Sequence, residues 1–256
     1  MFLTDFDATR DAIINPYHKH LTISDDAVPD TAICVYDGQI IAQLLAQDLL
    51  TYIGYQKSIN RKESLYVYTL PNKKQVLVML ILMGAPASVG VLEEISSMGV
   101  QHYIVLGTCG VLTARHDADH VILPARALRD EGTSFHYATA GDFIDAQSSS
   151  LALMACVLDE AQVGFSVATT WSTDAFYRET RAKMARCLEL GVEVVDMEAA
   201  ALMAWSQWRH VNLYQFFYTA DQLTTAGWNQ RKETRLRNVN EFFQLAEMMA
   251  VRITGD

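Results

Sequence analysis

Apolar residues along this chain fall into short continuous runs separated by segments whose apolar spacing follows a helical period. Seven runs read as β-strands: Asp30–Tyr36, Val76–Leu82, His102–Gly107, His120–Pro124, Gly164–Trp171, Val192–Met197 and Val211–Tyr218. The intervening stretches "GQIIAQLLAQDLLTYIG" (38–54) and "APASVGVLEEISSMGV" (85–100) read as helices, as do Ser149–Gln162, Glu198–Trp208 and Glu233–Ile253. Continuous Val/Ile runs, rather than strict apolar–polar alternation, predict a sheet covered on both faces. No Pro/Gly/Ser linker, internal repeat or long run of charge divides the chain. The expectation is therefore one α/β domain over 1–256, built on a twisted mixed β-sheet flanked by helices. Irregular segments are expected at Ala114–Asp119, Arg129–Gln147 and Leu223–Lys232.

Composition narrows the function classes. Half of the 256 residues are apolar and 20% are charged, which excludes a disordered or low-complexity scaffold. A formal net charge of −10 disfavours phosphodiester backbones and anionic lipid surfaces, so neither nucleic acid nor membrane is an expected partner. The four cysteines, Cys34, Cys109, Cys156 and Cys187, form no CxxC pair and sit in apolar stretches, as in a reduced cytoplasm. No basic segment precedes an apolar one near the N-terminus, and the run "QVLVMLILMGAPA" falls short of the ~20 residues of a membrane span, so a cytoplasmic protein is expected.

In open α/β sheets ligands collect where strands end, which directs attention to a few junctions. "LGTCG" (Leu106–Gly110) offers backbone N–H groups and the Thr108 hydroxyl to an anion, or is a strand-to-turn junction that needs glycine. "VVDMEAAALMAW" sets Asp196 and Glu198 at a strand end before an otherwise apolar helix. These carboxylates are either helix-start acids, worth ~0.3–1 kcal/mol when exposed, or acceptors for a vicinal diol. Asp221, after the aromatic run "YQFFY", is a general acid or a turn cap. "RDEGTSFHY" (Arg129–Tyr137) concentrates polar and aromatic side chains in an expected loop. His116 and His120 are four apart, but the second opens a strand and no HExxH or Cys/His cluster accompanies them, so no metal site is expected.

Taken together, "MGAPASVGVLEEISSMGV", "IVLGTCGVL", "RDEGTSFHY", "STDAFY" and "VVDMEAAAL" occur in the order and spacing of the nucleoside phosphorylase family, so that Tyr17 to Asp221 resembles it, uridine phosphorylases most of all. The resemblance implies homo-oligomers, dimers that pair into hexamers, with active sites shared between subunits. It implies cleavage of a nucleoside's N-glycosidic bond by phosphate attack at C1′, with inorganic phosphate as co-substrate and no metal or organic cofactor. It makes Glu198 the acceptor for the ribose 2′- and 3′-hydroxyls and Met197 a ribose-packing residue. Thr108, with Gly107, resembles the turn that contacts phosphate and ribose. His18 resembles a histidine reaching the neighbour's 5′-hydroxyl site, and Arg61 an arginine given to phosphate across the dimer. Phe176 resembles the aromatic residue stacked on the base, near Asp196, while Arg178 or Arg181 echoes a pyrimidine-carbonyl ligand. Asp221 matches the acid that purine-cleaving members set near N7.

Two positions depart from the family. Its phosphate loop reads Gly-Asp-Pro-x-Arg, whereas here "YDGQI" places Ile40 at the arginine. A second phosphate arginine is replaced by Val105. Each lost charge-assisted donor is worth ~1.5–3 kcal/mol. Arg61, Arg126 or Arg129 could stand in for them, water could replace phosphate as in related nucleosidases, or the chain could bind nucleosides without turnover.

Overall fold

In a computed structural model, residues 5–10, 12–16, 21–23, 28–116, 120–224, 227–230 and 239–255 are described. The first half runs β1 (Leu21–Ile23), β2 (Thr31–Val35), α1 (Gly38–Ala46), β3 (Leu50–Lys57), β4 (Lys62–Thr69), β5 (Gln75–Leu80), α2 (Ala85–Ser96), β6 (His102–Val111) and β7 (Val121–Asp130). The second half runs β8 (Phe143–Asp145), α3 (Ser148–Glu160), β9 (Phe165–Thr173), α4 (Arg181–Glu189), β10 (Val194–Asp196), α5 (Ala199–Arg209), β11 (Asn212–Leu223), β12 (Trp228–Asn229) and α6 (Val239–Gly255).

All five residues of β2 and the central residues of β5 and β6 are buried, as strands covered on both faces require. The described strands form one mixed sheet in the order β1-β3-β4-β5-β2-β6-β10-β9-β7-β11-β12, with β8 beside β7. Strand β6 also pairs in parallel with β11, so β6, β10, β9, β7 and β11 close into a ring of pairings. One apolar layer packs α2 and α5 against the sheet, around Leu92, Ile95 and Trp205. The opposite layer packs α1, α3 and α6, around Leu44, Leu158 and Met249. Among the described residues no helix is long and apolar enough to cross a membrane.

The α/β class and the mixed sheet match the sequence reading, but several segments differ from it. The helix expected over 38–54 ends at Ala46; Asp48 turns the chain with φ of 56°, and Leu50–Lys57 becomes β3 paired with β4. Leu44, Leu45, Leu49 and Leu50 mimic helical spacing, while the β-branched and aromatic residues after them favour strand. The segment 129–147 is not wholly irregular, because β7 continues through Asp130 and β8 pairs with it. The final apolar strand is likewise longer than expected, since β11 runs to Leu223 and carries Asp221 within it. Helix α4 was not foreseen from its polar sequence. Residues 233–238 of the last expected helix lie outside the described residues.

Candidate active site

Tyr36 just after β2, Gly107–Thr108 of β6 and Asp196 of β10 line one cavity of about 850 Å³, which β11 borders through Tyr218 and Asp221. One end of it is built of buried acids. Asp196 is 5% exposed, and its Oδ1 accepts hydrogen bonds from Thr170 Oγ1 and Ser172 Oγ, both at 2.8 Å. Its Oδ2 accepts from the backbone N–H of Glu198 at 2.7 Å and of Ala199 at 2.6 Å, which satisfies the first turn of α5. Burial pushes the Asp196 carboxyl upward, against the four hydrogen-bond donors that favour its anion. Glu198 has fewer donors. Its Oε1 accepts from the Gly84 N–H at 2.7 Å, and burial with the neighbouring Asp196 charge pushes its carboxyl upward. Gly84 has φ of 95°, a backbone angle that suits glycine, and it opens α2 with its N–H turned to Glu198.

The other end is aromatic and open. Phe176, Tyr177 and Trp228 line it with exposures of 42%, 88% and 64%. Two further acids border this end. Asp221 accepts a hydrogen bond from Trp228 Nε1 at 2.5 Å. Its Oδ1 passes so close to Gly110 that a Cβ there would sit 3.1 Å from it. Glu179 lines the same cavity, and burial together with the Asp221 charge pushes its carboxyl up to about 7.

The sequence candidates divide accordingly. Gly107, Thr108, Phe176, Asp196, Met197, Glu198 and Asp221 all line the cavity. Arg178 and Arg181 are exposed and do not line it. Arg61 lies between β3 and β4 and pairs with Glu63. His18 lies outside the described residues. Ile40 is buried and borders the cavity, and Val105 is fully buried in β6. Of the two other arginines, Arg126 pairs with Asp145 at 3.3 Å. Arg129 is buried and donates to Ser134 Oγ at 2.8 Å and to the carbonyls of Thr139 at 2.6 Å and Ala138 at 3.3 Å. The "RDEGTSFHY" segment is thus held by hydrogen bonds of its own and to neighbouring segments: Glu131 accepts from the N–H of Thr133 and Ser134, and the Gly132 N–H donates to Asp174 at 3.0 Å. His116 and His120 stack at 5.9 Å and bond to Glu193 and Ser166 respectively. Among the described residues no group of three His, Cys, Asp or Glu is placed to hold a metal.

Sequence reasoning missed Tyr36, Tyr218, Glu179 and Trp228. Nothing in the spacing of Glu179 marks it; its neighbours Phe176 and Tyr177 were the available signal. The Tyr36 hydroxyl shares a 2.9 Å hydrogen bond with Ser88, which in turn donates to the Leu82 carbonyl at 2.5 Å and so ties β2 to the start of α2.

Residues 30–254 match the family model of the Phosphorylase superfamily. Over 214 residues the chain is 28% identical to the DeoD-type purine nucleoside phosphorylase of Alkaliphilus metalliredigens, covering 80% of this chain and 90% of that protein. The Bacillus cereus protein of the same name is 28% identical over 183 residues, covering 70% of this chain and 77% of its own length. The crystal structure of purine nucleoside phosphorylase from Toxoplasma gondii in complex with immucillin-H shares the fold, with a TM-score of 0.75, 14% sequence identity and coverage of 89% and 92% of the two chains.

Proposed function

Because the chain belongs to the phosphorylase superfamily, as its motifs suggested, we propose that it cleaves the N-glycosidic bond of purine nucleosides by phosphorolysis, giving free base and ribose 1-phosphate. The observation that carries this reading is the Asp196–Glu198 pair, a buried acidic wall at one end of a cavity whose other end is aromatic. Ribose hydroxyls donate to the Glu198 carboxylate. Met197 packs the sugar, and Thr108 with the Gly107 backbone faces the side from which phosphate approaches C1′. As the bond to the base lengthens, positive charge grows on the ribosyl ring, and the carboxylates nearby stabilise it. Glu198 must lose its proton to accept both hydroxyls, so kcat/KM is expected to rise with pH through a value above the ordinary carboxylate range.

Purine rather than pyrimidine is favoured by Asp221 in the cavity wall and by Arg178 and Arg181 lying off it. The purine-type relatives point the same way. Phe176 stacks on the base, and Asp221 presents a carboxyl to its ring nitrogen. No organic cofactor takes part. The open aromatic end supports a homo-oligomer, dimer or hexamer, in which a neighbouring subunit covers the base and brings His18 and Arg61 toward sugar and phosphate. Its place of action is the cytoplasm, in keeping with cysteines that are buried or partly buried as thiols.

A second reading, hydrolysis by water, is favoured by one observation. Ile40 occupies the position of the family's phosphate arginine, and the Asp37 carboxylate accepts the Gln39 N–H at 2.9 Å, filling the N-terminus of α1 where an anion would otherwise sit. Measuring kcat/KM for inosine and uridine across a phosphate titration separates these readings. Saturable dependence on phosphate with inosine preferred supports the first; a phosphate-independent rate overturns it in favour of hydrolysis, and preference for uridine overturns the purine assignment.

A further inference from the structure

We infer that Tyr36 receives the attacking nucleophile: its hydroxyl oxygen accepts a hydrogen bond from an O–H of phosphate, so the co-substrate is taken in its singly charged, more protonated form. This inference rests on the phosphorolytic reading above and names the residue that holds the co-substrate where the family's two arginines are missing.

Tyr36 follows β2, and its backbone N–H bonds to the Leu106 carbonyl at 3.4 Å, which sets the residue beside Gly107 and Thr108 of β6. Its ring lies against Gly107, where a Cβ would stand 3.5 Å from Tyr36 Cδ2. The far end of the side chain is held by the first turn of α2. There the hydroxyl shares its 2.9 Å hydrogen bond with Ser88, whose N–H bonds to the Gly84 carbonyl at 3.0 Å, and the Gly84 N–H in turn holds Glu198. Tyr36 thus bridges the Gly107 side of the cavity, from which the nucleophile is proposed to approach, and the acid proposed to hold the sugar hydroxyls.

The direction of its proton follows from Ser88. That side chain is fully buried and has a single proton, which goes to the Leu82 carbonyl at 2.5 Å. In the shared bond Tyr36 is therefore the donor, and what its oxygen retains for a ligand is a lone pair. Burial and the charges of Glu198 and Asp196, with Cys34 of β2 nearby, push the hydroxyl well above the ordinary tyrosine range, so it stays neutral. A ligand oxygen that meets Tyr36 must bring its own hydrogen. Charge makes the same demand. Asp37, Glu179, Asp196, Glu198 and Asp221 line the cavity, and among the described residues that line it there is no Lys, Arg or His. The single arginine that a neighbouring subunit brings, as proposed above, matches one negative charge rather than two. Each proton on phosphate removes one repelled charge and supplies one donor.

In the step itself an unprotonated phosphate oxygen bonds to C1′ as the bond from C1′ to the base breaks. That electron pair leaves with the base, which takes up a proton from solvent. The O–H bonded to Tyr36 is on another phosphate oxygen and remains on the ester formed.

The test is the KM for phosphate at saturating inosine, over roughly pH 6–8, for the unaltered protein, Tyr36→Phe and Ser88→Ala. Phe keeps the ring against Gly107 and removes the acceptor. At the acid end of this range its phosphate KM should be about 3- to 10-fold higher, with the KM for inosine as before. Ser88→Ala frees the Tyr36 proton to turn toward phosphate, so the rise of phosphate KM with pH expected of the unaltered protein should become shallower. An unmoved phosphate KM in Tyr36→Phe, or equal rises for phosphate and inosine, would overturn the inference. So would a slope in Ser88→Ala as steep as in the unaltered protein, or a phosphate KM that falls with pH in the unaltered protein. In each of these cases the phosphorolytic reading stands; base release at a rate indifferent to phosphate sinks that reading and the inference with it.

Discussion

The two ends of the cavity are built in opposite ways. The acidic end, proposed to hold the sugar, is assembled from neighbours in sequence, Asp196, Met197 and Glu198, at the junction of β10 and α5, and its acids are buried and bonded to four donors and to Gly84. The aromatic end, proposed to hold the base, draws Phe176, Tyr177 and Glu179 from one turn, Asp221 from β11 and Trp228 from β12, and leaves its aromatic side chains largely exposed. The first is fixed by the fold because each carboxylate there also satisfies the backbone of a helix start or a strand connection. The second can vary without disturbing a helix or the core. Such an arrangement suits an enzyme whose sugar chemistry is constant and whose base recognition is adjustable.

If that contrast is right, substitutions at the two ends should fail differently. Glu198→Gln, which keeps size and removes the negative charge, should lower kcat/KM for inosine by about 10²–10³-fold with little change in KM for phosphate; steady-state kinetics check this. Asp196→Asn presents an amide N–H₂ to donors that now meet a carboxylate. A stability loss of about 1–3 kcal/mol, read as a lower denaturation midpoint, should accompany its loss of activity. At the base end Asp221→Asn should cost about 10- to 100-fold on inosine with the melting temperature nearly unmoved. The mildest effect is expected from Phe176→Ala, in which the stacking partner goes; about 0.5–1.5 kcal/mol corresponds to a KM rise of up to roughly tenfold. A large stability loss from the last two, or none from Asp196→Asn, would break the contrast.

The same division governs what could be read from the sequence. Continuous Val/Ile runs gave away β2, β5 and β6, because a strand buried on both faces has no polar positions to confuse it. Strands β3 and β4 were hidden, since their partly exposed faces carry mixed residues and the preceding leucines imitate a helix. Glu198 was legible because an acid opening an Ala-rich helix has no apolar explanation. Glu179 was not, because in a polar turn an acid is unremarkable until folding sets it in the cavity wall. Arg129 shows the converse: a charged residue in a suggestive motif proves to bond to Ser134 and the carbonyls of its own loop.

The measurement closest to the central claim is incubation of the purified protein with inosine, with and without inorganic phosphate, followed by chromatography of base and sugar products. The expected result is hypoxanthine together with ribose 1-phosphate, formed only when phosphate is present. Absence of hypoxanthine under both conditions would contradict glycosidic cleavage, and equal release with free ribose under both would contradict phosphate as the nucleophile.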